Sequence, residues 1–386
     1  MSRAISVEDS PSSALQLAPA IAEADLRAIT SWVQSKRKSK HTRRAFQTEA
    51  QRWLAWLIWA KSASGFTTWL DKATSLDAAA YAKFLLEEKT QQFPIPVLEA
   101  AGLRNQPFRM QALAVTSVDR AVDSLRTMYS DLIEMVVDGS LDLRKNPFAR
   151  FKTSSIADRL SPRHKALNRS ERSYIDDALT LIRCREEEKG KRPVIYHQLR
   201  WIWHALLQSA MRRSELAAAV AGDIHQVTDD EGNRNWEISI KGKGDKVASI
   251  PLSNDFMLEF AVYREFHGLP PVPTYTADGK RDESPVVMPI KGATRQVSDS
   301  LIYRAMKDLM KMASTLAMEA QDPAGAEKLK MSAAHSARHT CVTRIVDSTG
   351  DITLAKDMAR HSSISTTQGY VAPSTSRLRK ALENLD

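Results

Sequence analysis

Cysteine is nearly missing from this chain. The two present, Cys184 and Cys341, stand far apart and outside any Cys-x-x-Cys or metal-ligand spacing. A disulfide scaffold is thereby excluded, and the usage fits a reducing compartment, expected to be cytoplasmic. Long hydrophobic runs are missing too: no segment reaches the length needed to span a bilayer, so no membrane partner is expected. The first twenty residues carry Glu8, Asp9 and several serines instead of the apolar centre of a signal peptide, and residues 1–22 read as a disordered arm. Acidic residues are the minority charge, 46 against 55 Lys and Arg, which gives +9 and a pI near 9.4. That balance favours an anionic partner such as nucleic acid without proving one.

What is present divides naturally in two, because 386 residues exceed one ordinary core. Apolar periodicity predicts a helix from Glu23 to Arg37 and another from Thr42 to about Ser62, with Phe46, Ala50, Trp53 and Leu57 facing a core. Trp56 and Trp59 fall off that stripe and are read as packing groups. Ser75 is expected to cap a third helix, and Phe93 to Phe108 to be a loop, since prolines stand at 94, 96 and 107. Val118, Ala121, Val122, Leu125, Met128, Leu132, Ile133 and Val136 then line one face of a long helix ending before Gly139. Residues 23–148 therefore read as a helical bundle. The basic run containing Lys38, Lys40, Arg43 and Arg44, and the strap at 149–169 containing Lys152, Arg163 and Lys165, are candidate phosphate contacts. The strap reads as an interdomain linker.

Residues 170–374 form the second expected domain. Helices are predicted from Ser170 to Glu188, Val194 to Ser209 and Ser298 to Met312, with Leu269–Pro289 as loop and Glu319–Ala326 as a polar connection. Trp236–Ile240 and Val247–Leu252 alternate in a β-hairpin whose tip carries Lys243. His335, Arg338 and His339 fall on one helix face because positions three and four apart lie under one another. Two imidazoles and a guanidinium there make an anion site able to move a proton. His361 and Tyr370 follow, and a phenol is a competent covalent nucleophile once nearby cations favour its ionised form. Leu378, Leu382 and Leu385 give residues 375–386 a short amphipathic helix that must dock on something.

Four boxes in order carry a family resemblance: Ser209-Ala210-Met211-Arg212-Arg213-Ser214-Glu215-Leu216, Gly242-Lys243-Gly244, His335-Ser336-Ala337-Arg338-His339, and His361 with Tyr370 nine residues on. Together they resemble the signature of the tyrosine recombinases, or phage integrases. The resemblance implies a mainly α fold with a small β-sheet, pairing an N-terminal helical bundle of the SAM-like core-binding type with a C-terminal mixed α/β catalytic domain. It implies site-specific cleavage and rejoining of double-stranded DNA through a 3′-phosphotyrosyl intermediate, without metal, ATP or other cofactor. Arg212 and Arg338 would clamp the phosphate and His361 would donate to it. His335 would accept the proton of the nucleophile Tyr370, and Lys243 would protonate the leaving oxygen. Glu215 and His339 would support them. The partners implied are DNA carrying recombination sites and three further copies, assembled as a homotetramer by exchange of the 375–386 tail. A bacterial or phage-encoded, nucleoid-associated protein of a mobile element would fit.

Ala337, Met211, Ala210 and Arg360 depart from the family pattern; Arg360 stands where glycine is usual and a tight turn is needed. A catalytically silent DNA-binding relative and a type IB topoisomerase-like relaxing enzyme remain as alternatives. The i, i+4 pair His335 and His339 also matches half of a zinc-hydrolase helix, but Ser336 replaces the glutamate that chemistry needs and no third ligand follows.

Overall fold

A computed structural model describes residues 22–36, 40–89, 92–135, 141–151, 162–241, 247–274, 279–290, 295–361 and 363–370. The chain divides into two compact units, Met1–Arg159 and Leu160–Asp386. Among the described residues it is mainly helical with one small sheet, and none of the described helices is long and apolar enough to cross a membrane.

The first unit packs α1 (Glu23–Ser35), α2 (Lys40–Ala60), α3 (Ser75–Leu86), α4 (Ile95–Ala100) and α5 (Val115–Glu134) around an aromatic core. Trp53 sits at its centre, fully buried, edge-on to Tyr81 and Phe148 and stacked with Trp56 at 5.4 Å. Trp56 and Trp59 are thus packing groups, Trp59 stacking on Phe93 at 5.1 Å. Several polar atoms inside this core are satisfied locally, as burial favours, whereas the indole N–H groups of Trp56 and Trp69 find no partner among the described residues. The Trp53 indole donates to Tyr129 at 2.9 Å, and Tyr129 donates to the Leu70 carbonyl. Asp25 accepts from the Leu70 and Trp69 amides.

Three local expectations need correction. Thr74, not Ser75, is the N-cap of α3: its hydroxyl accepts from the Asp77 amide while Asp77 accepts from the Thr74 amide, a reciprocal box that Ser75 cannot make from inside the helix. The proline-containing stretch holds the short helix α4, because Pro96 occupies a first-turn position where no N–H is needed. On α5, Ile133 is 39% exposed and Tyr129 takes the inward place, since 118, 122, 125, 129 and 132 keep the helical spacing.

The second unit begins with a 3-10 turn at Pro162–Lys165 and buried Leu167, whose amide donates to Thr340 Oγ1 at 2.8 Å. Then come α6 (Arg169–Glu188, capped by Asn168), α7 (Val194–Ser209) and α8 (Arg213–Ala218). Strands β1 (Ile224–Thr228), β2 (Arg234–Lys241) and β3 (Val247–Leu252) form an antiparallel sheet in that order. The pairs Trp236↔Leu252, Ile238↔Ile250 and Ile240↔Ala248 fix the hairpin register and turn Ile238, Ile240 and Ile250 into the core.

Helices α9 (Asn254–Phe266), α10 (Asp299–Glu319), α11 (Pro323–Met331), α12 (Ala334–Thr349), α13 (Ile352–Ala359) and α14 (Ile364–Gln368) follow. α10 runs past Met312, and the polar connection proves to be α11, started by Pro323 and the Asp322 cap on the Gly325 amide. α12 is buried along most of its length, which is why its polar face points inward at the site.

Candidate active site

The site is built where α12 lies between the end of α7 and the end of α13. Ala210, buried in the left-handed conformation at φ 50°, ends α7 and turns its carbonyl inward. Arg338, 2% exposed, donates from Nη1 to that carbonyl and from Nη2 to the carbonyl of Ala359 at the end of α13. One guanidinium thus holds two chain reversals, and the second lies at a helix C-terminus, where a cation is favoured.

Arg212 is the residue before α8, and its backbone N–H and Nη1 both donate to the Glu215 carboxylate at 2.7 Å. Arg213 turns away, 3.3 Å from Asp299 and over the Tyr303 ring, as about 100° of rotation per residue requires. Glu215 Oε2 also accepts from Arg360 Nη2 at 2.6 Å. Arg360 is left-handed, with φ 52° and ψ 46°, a conformation that costs a non-glycine residue about 1 kcal/mol or more. The turn that glycine would ordinarily supply is therefore present with an arginine in it.

Tyr370 is 2% exposed and its hydroxyl lies 2.6 Å from His339 Nδ1. The family resemblance implies His335 as the acceptor of the tyrosine proton; the ring in contact with the hydroxyl is that of His339, one helical turn on, with His335 edge-on to it at 4.4 Å between ring centroids. His361 stacks on Tyr370 at 6.1 Å and its Nδ1 lies 2.9 Å from Thr367 Oγ1. Thr367 escaped the sequence reading; its one signal was its place three residues before the tyrosine, where its carbonyl accepts from the Tyr370 amide.

The electrostatics follow from burial among cations. Burial, then Arg338, Lys165, Arg212 and Arg213, push His335 down to about 4. Burial, then His335, Lys165 and Arg338, push His339 to about 3. His361 falls to about 4 through burial and Arg338. All three rings are consequently neutral at pH 7 and can accept a proton. Burial raises Tyr370 to about 12, with Arg338 opposing, and lowers Arg338 to about 10. The tyrosine is therefore a protonated phenol at rest, in hydrogen-bond contact with a neutral imidazole.

Arg212, His335, Arg338, His339, His361, Tyr370 and Glu215 thus gather in one place, and Lys165, foreseen as a phosphate contact, acts on the same two histidines. Arg43 and Arg44 are exposed on α2 of the first unit. Lys243, Lys38, Lys152 and the 375–386 tail lie outside the described residues, and only the backbone of Lys40 and Arg163 is described. Among the described residues no group of three or more His, Cys, Asp or Glu is arranged to hold a metal ion.

Residues 188–377 match the model of the phage integrase family. No curated protein sequence matches the chain significantly. Solved structures do. The XerH site-specific recombinase bound to difH substrate in a pre-cleavage complex is 12% identical, with 96% of this chain and 97% of that one covered at a TM-score of 0.54. The Tn1549 transposon integrase in complex with transposon right end DNA is 16% identical, with 94% and 99% covered at 0.55. A lambda integrase dimer bound to a COC′ core site is 12% identical, with 90% and 94% covered at 0.54. At such identities the likeness is one of fold.

Proposed function

Residues 188–377 are a phage integrase family domain, and from that premise we propose how the chain, a site-specific recombinase, divides the work of breaking and rejoining DNA strands among its residues. Tyr370 Oη attacks the scissile phosphorus, a new P–O bond to tyrosine forms, and the bond from phosphorus to the sugar 5′ oxygen breaks. The phenol proton passes to the imidazole it touches, His339, with His335 directly behind. The departing 5′ oxygen takes its proton from Lys243. Rejoining reverses these steps with the 5′ hydroxyl of another strand, and the 3′-phosphotyrosyl bond conserves the energy that ATP would otherwise supply.

Arg212 and Arg338 stabilise the charge that grows on the non-bridging oxygens, where fixed donors in a dry site act most strongly. His361 donates from Nε2 in the tautomer whose Nδ1 accepts from the Thr367 hydroxyl, 2.9 Å away. Lys38, Lys40, Arg43, Arg44, Lys152, Arg163 and Lys165 hold backbone phosphates on double-stranded DNA bearing recombination sites. Four copies act together on two such sites, linked by the 375–386 tail.

The observation that carries this reading is the 2.6 Å contact of the Tyr370 hydroxyl with a neutral imidazole beside Arg338. The test uses nicked suicide duplexes drawn from DNA flanking the coding gene. The unaltered chain gives a covalent protein–DNA band on a denaturing gel, and Tyr370→Phe binds the same duplex without giving it. An undiminished band from the phenylalanine variant refutes the assignment. Relaxation of any supercoiled plasmid by isolated monomers would favour the topoisomerase-like alternative instead.

A further inference from the structure

Arg360 is used by none of the steps above, yet it occupies a costly place. It keeps a left-handed backbone, and its side chain is turned into the site, with Nη2 on Glu215 Oε2 at 2.6 Å and Nη1 on the Met358 carbonyl at 3.1 Å. The side chains of Arg360 and Glu215 are 13% and 4% exposed. Its Nε is buried with no hydrogen-bond partner among the described residues. Such strain and an unmet donor persist only where the surroundings enforce them.

Glu215 explains what Arg360 changes. Its carboxylate grips Arg212 through both the backbone N–H and Nη1. A buried carboxylate bound to a single guanidinium makes a neutral pair, and a neutral pair attracts a phosphate weakly. With Arg360 sharing the same carboxylate, the triplet keeps one net positive charge and holds it beside Arg338.

We propose that Arg360 is a positioning residue for the cleavage reaction: by taking up the charge of Glu215 through Oε2, while the Arg212 Nη1 stays on Oε1, it holds that carboxylate in place and leaves the Arg212 guanidinium cationic toward the scissile phosphate. This rests on the recombinase reading above and deepens it. A chain with glycine at this position would have the turn without the charge.

That equivalence makes the test clean, because Arg360→Gly suits the left-handed backbone and removes the guanidinium alone. Single-turnover cleavage of a nicked duplex is measured at saturating DNA for the unaltered chain, Arg360→Gly, Arg360→Lys, and Arg360→Gly in a Glu215→Gln background, with thermal midpoints in parallel. Arg360→Gly slows cleavage by about 10- to 100-fold without lowering the midpoint. Arg360→Lys recovers most of that rate. In the Glu215→Gln background the loss shrinks, because no carboxylate is left to offset.

An Arg360→Gly rate equal to that of the unaltered chain overturns the inference, as does a slow, well-folded Arg360→Lys. An equal loss in both backgrounds overturns the coupling through Glu215. Absence of adduct from the unaltered chain is a different result: it overturns the recombinase reading itself.

Discussion

The core of the first unit and the arginine site of the second bury charge in opposite ways. In the first, Asp25 lies in the core with its carboxylate on the Leu70 and Trp69 amides, and Glu49 faces Arg52 and Tyr81. Each of these carboxylates is met by donors within reach. In the second, Arg212 and Arg360 share the single carboxylate of Glu215, Arg338 rests on two backbone carbonyls, and three histidines stand by, forced neutral. Burial of charge alone therefore says little. An excess of one sign, held by rigid partners, is what marks a site that waits for the other sign.

Truncating one residue at each centre breaks the comparison most sharply. Arg338→Ala removes the proposed phosphate donor and frees the carbonyls of Ala210 and Ala359, so cleavage should fall by about 10³-fold or more in single-turnover assays. Trp53→Ala should destabilise the first unit by about 3–5 kcal/mol in urea melts, through the cavity and the lost indole hydrogen bond to the Tyr129 hydroxyl. Cleavage by folded, DNA-saturated Trp53→Ala protein should stay at the unaltered rate. A large rate loss there, or a normal rate in Arg338→Ala, would erase the distinction between the two kinds of burial.

Acid should separate the units next, with opposite signs. His339 and His361 have folded pKa values near 3 and 4 against 6.5 when free, so between those limits the unfolded chain binds more protons. The second unit is accordingly most stable above pH 6.5 and loses stability as pH falls toward 4. The slope should exceed that of one proton, about 1.4 kcal/mol per pH unit. Asp25 behaves inversely: burial raises it from 3.8 to about 6, so its folded form binds the extra proton and its contribution grows as pH falls from 6 to 3.8. Urea titrations of 5-fluorotryptophan protein would read the units separately, Trp53 and Trp69 reporting on one, Trp201 and Trp203 on the other. Asp25→Asn should flatten the first profile in that window and leave the second untouched.

The same contrast governs what could be read from the chain. The apolar faces of α2 and α5 and the register of the β2–β3 hairpin are legible because a local period specifies them. α11 was read as a connection because its helix rests on a proline start and an aspartate cap rather than on an apolar stripe. β1 was missed because five residues with one buried side chain carry too little alternation. At the site, the gathering of Arg212, Arg338, His335 and Tyr370 was legible from motif spacing, whereas the contact of His339 with the Tyr370 hydroxyl was not. Both histidines share a helix face, and which one meets Tyr370 depends on how the chain returns after α13 through the left-handed turn at Arg360. Thr367 was invisible for the same reason.

The smallest expected effect isolates that last residue. Thr367 is fully buried, and its hydroxyl is the partner of His361 Nδ1. Valine keeps the shape and the Tyr370 amide bond to the backbone carbonyl, removing only the group that selects the ring's tautomer. Loss of one neutral hydrogen bond of about 1 kcal/mol corresponds to roughly a fivefold slower cleavage. Thr367→Ser, which keeps the hydroxyl, should cleave at nearly the unaltered rate. Nitrogen-15 shifts of His361 would show whether the proton has left Nε2 in the valine variant. A mixed tautomer with an unchanged rate would mean that the phosphate does not need a donor from His361, leaving the two arginines to carry its charge.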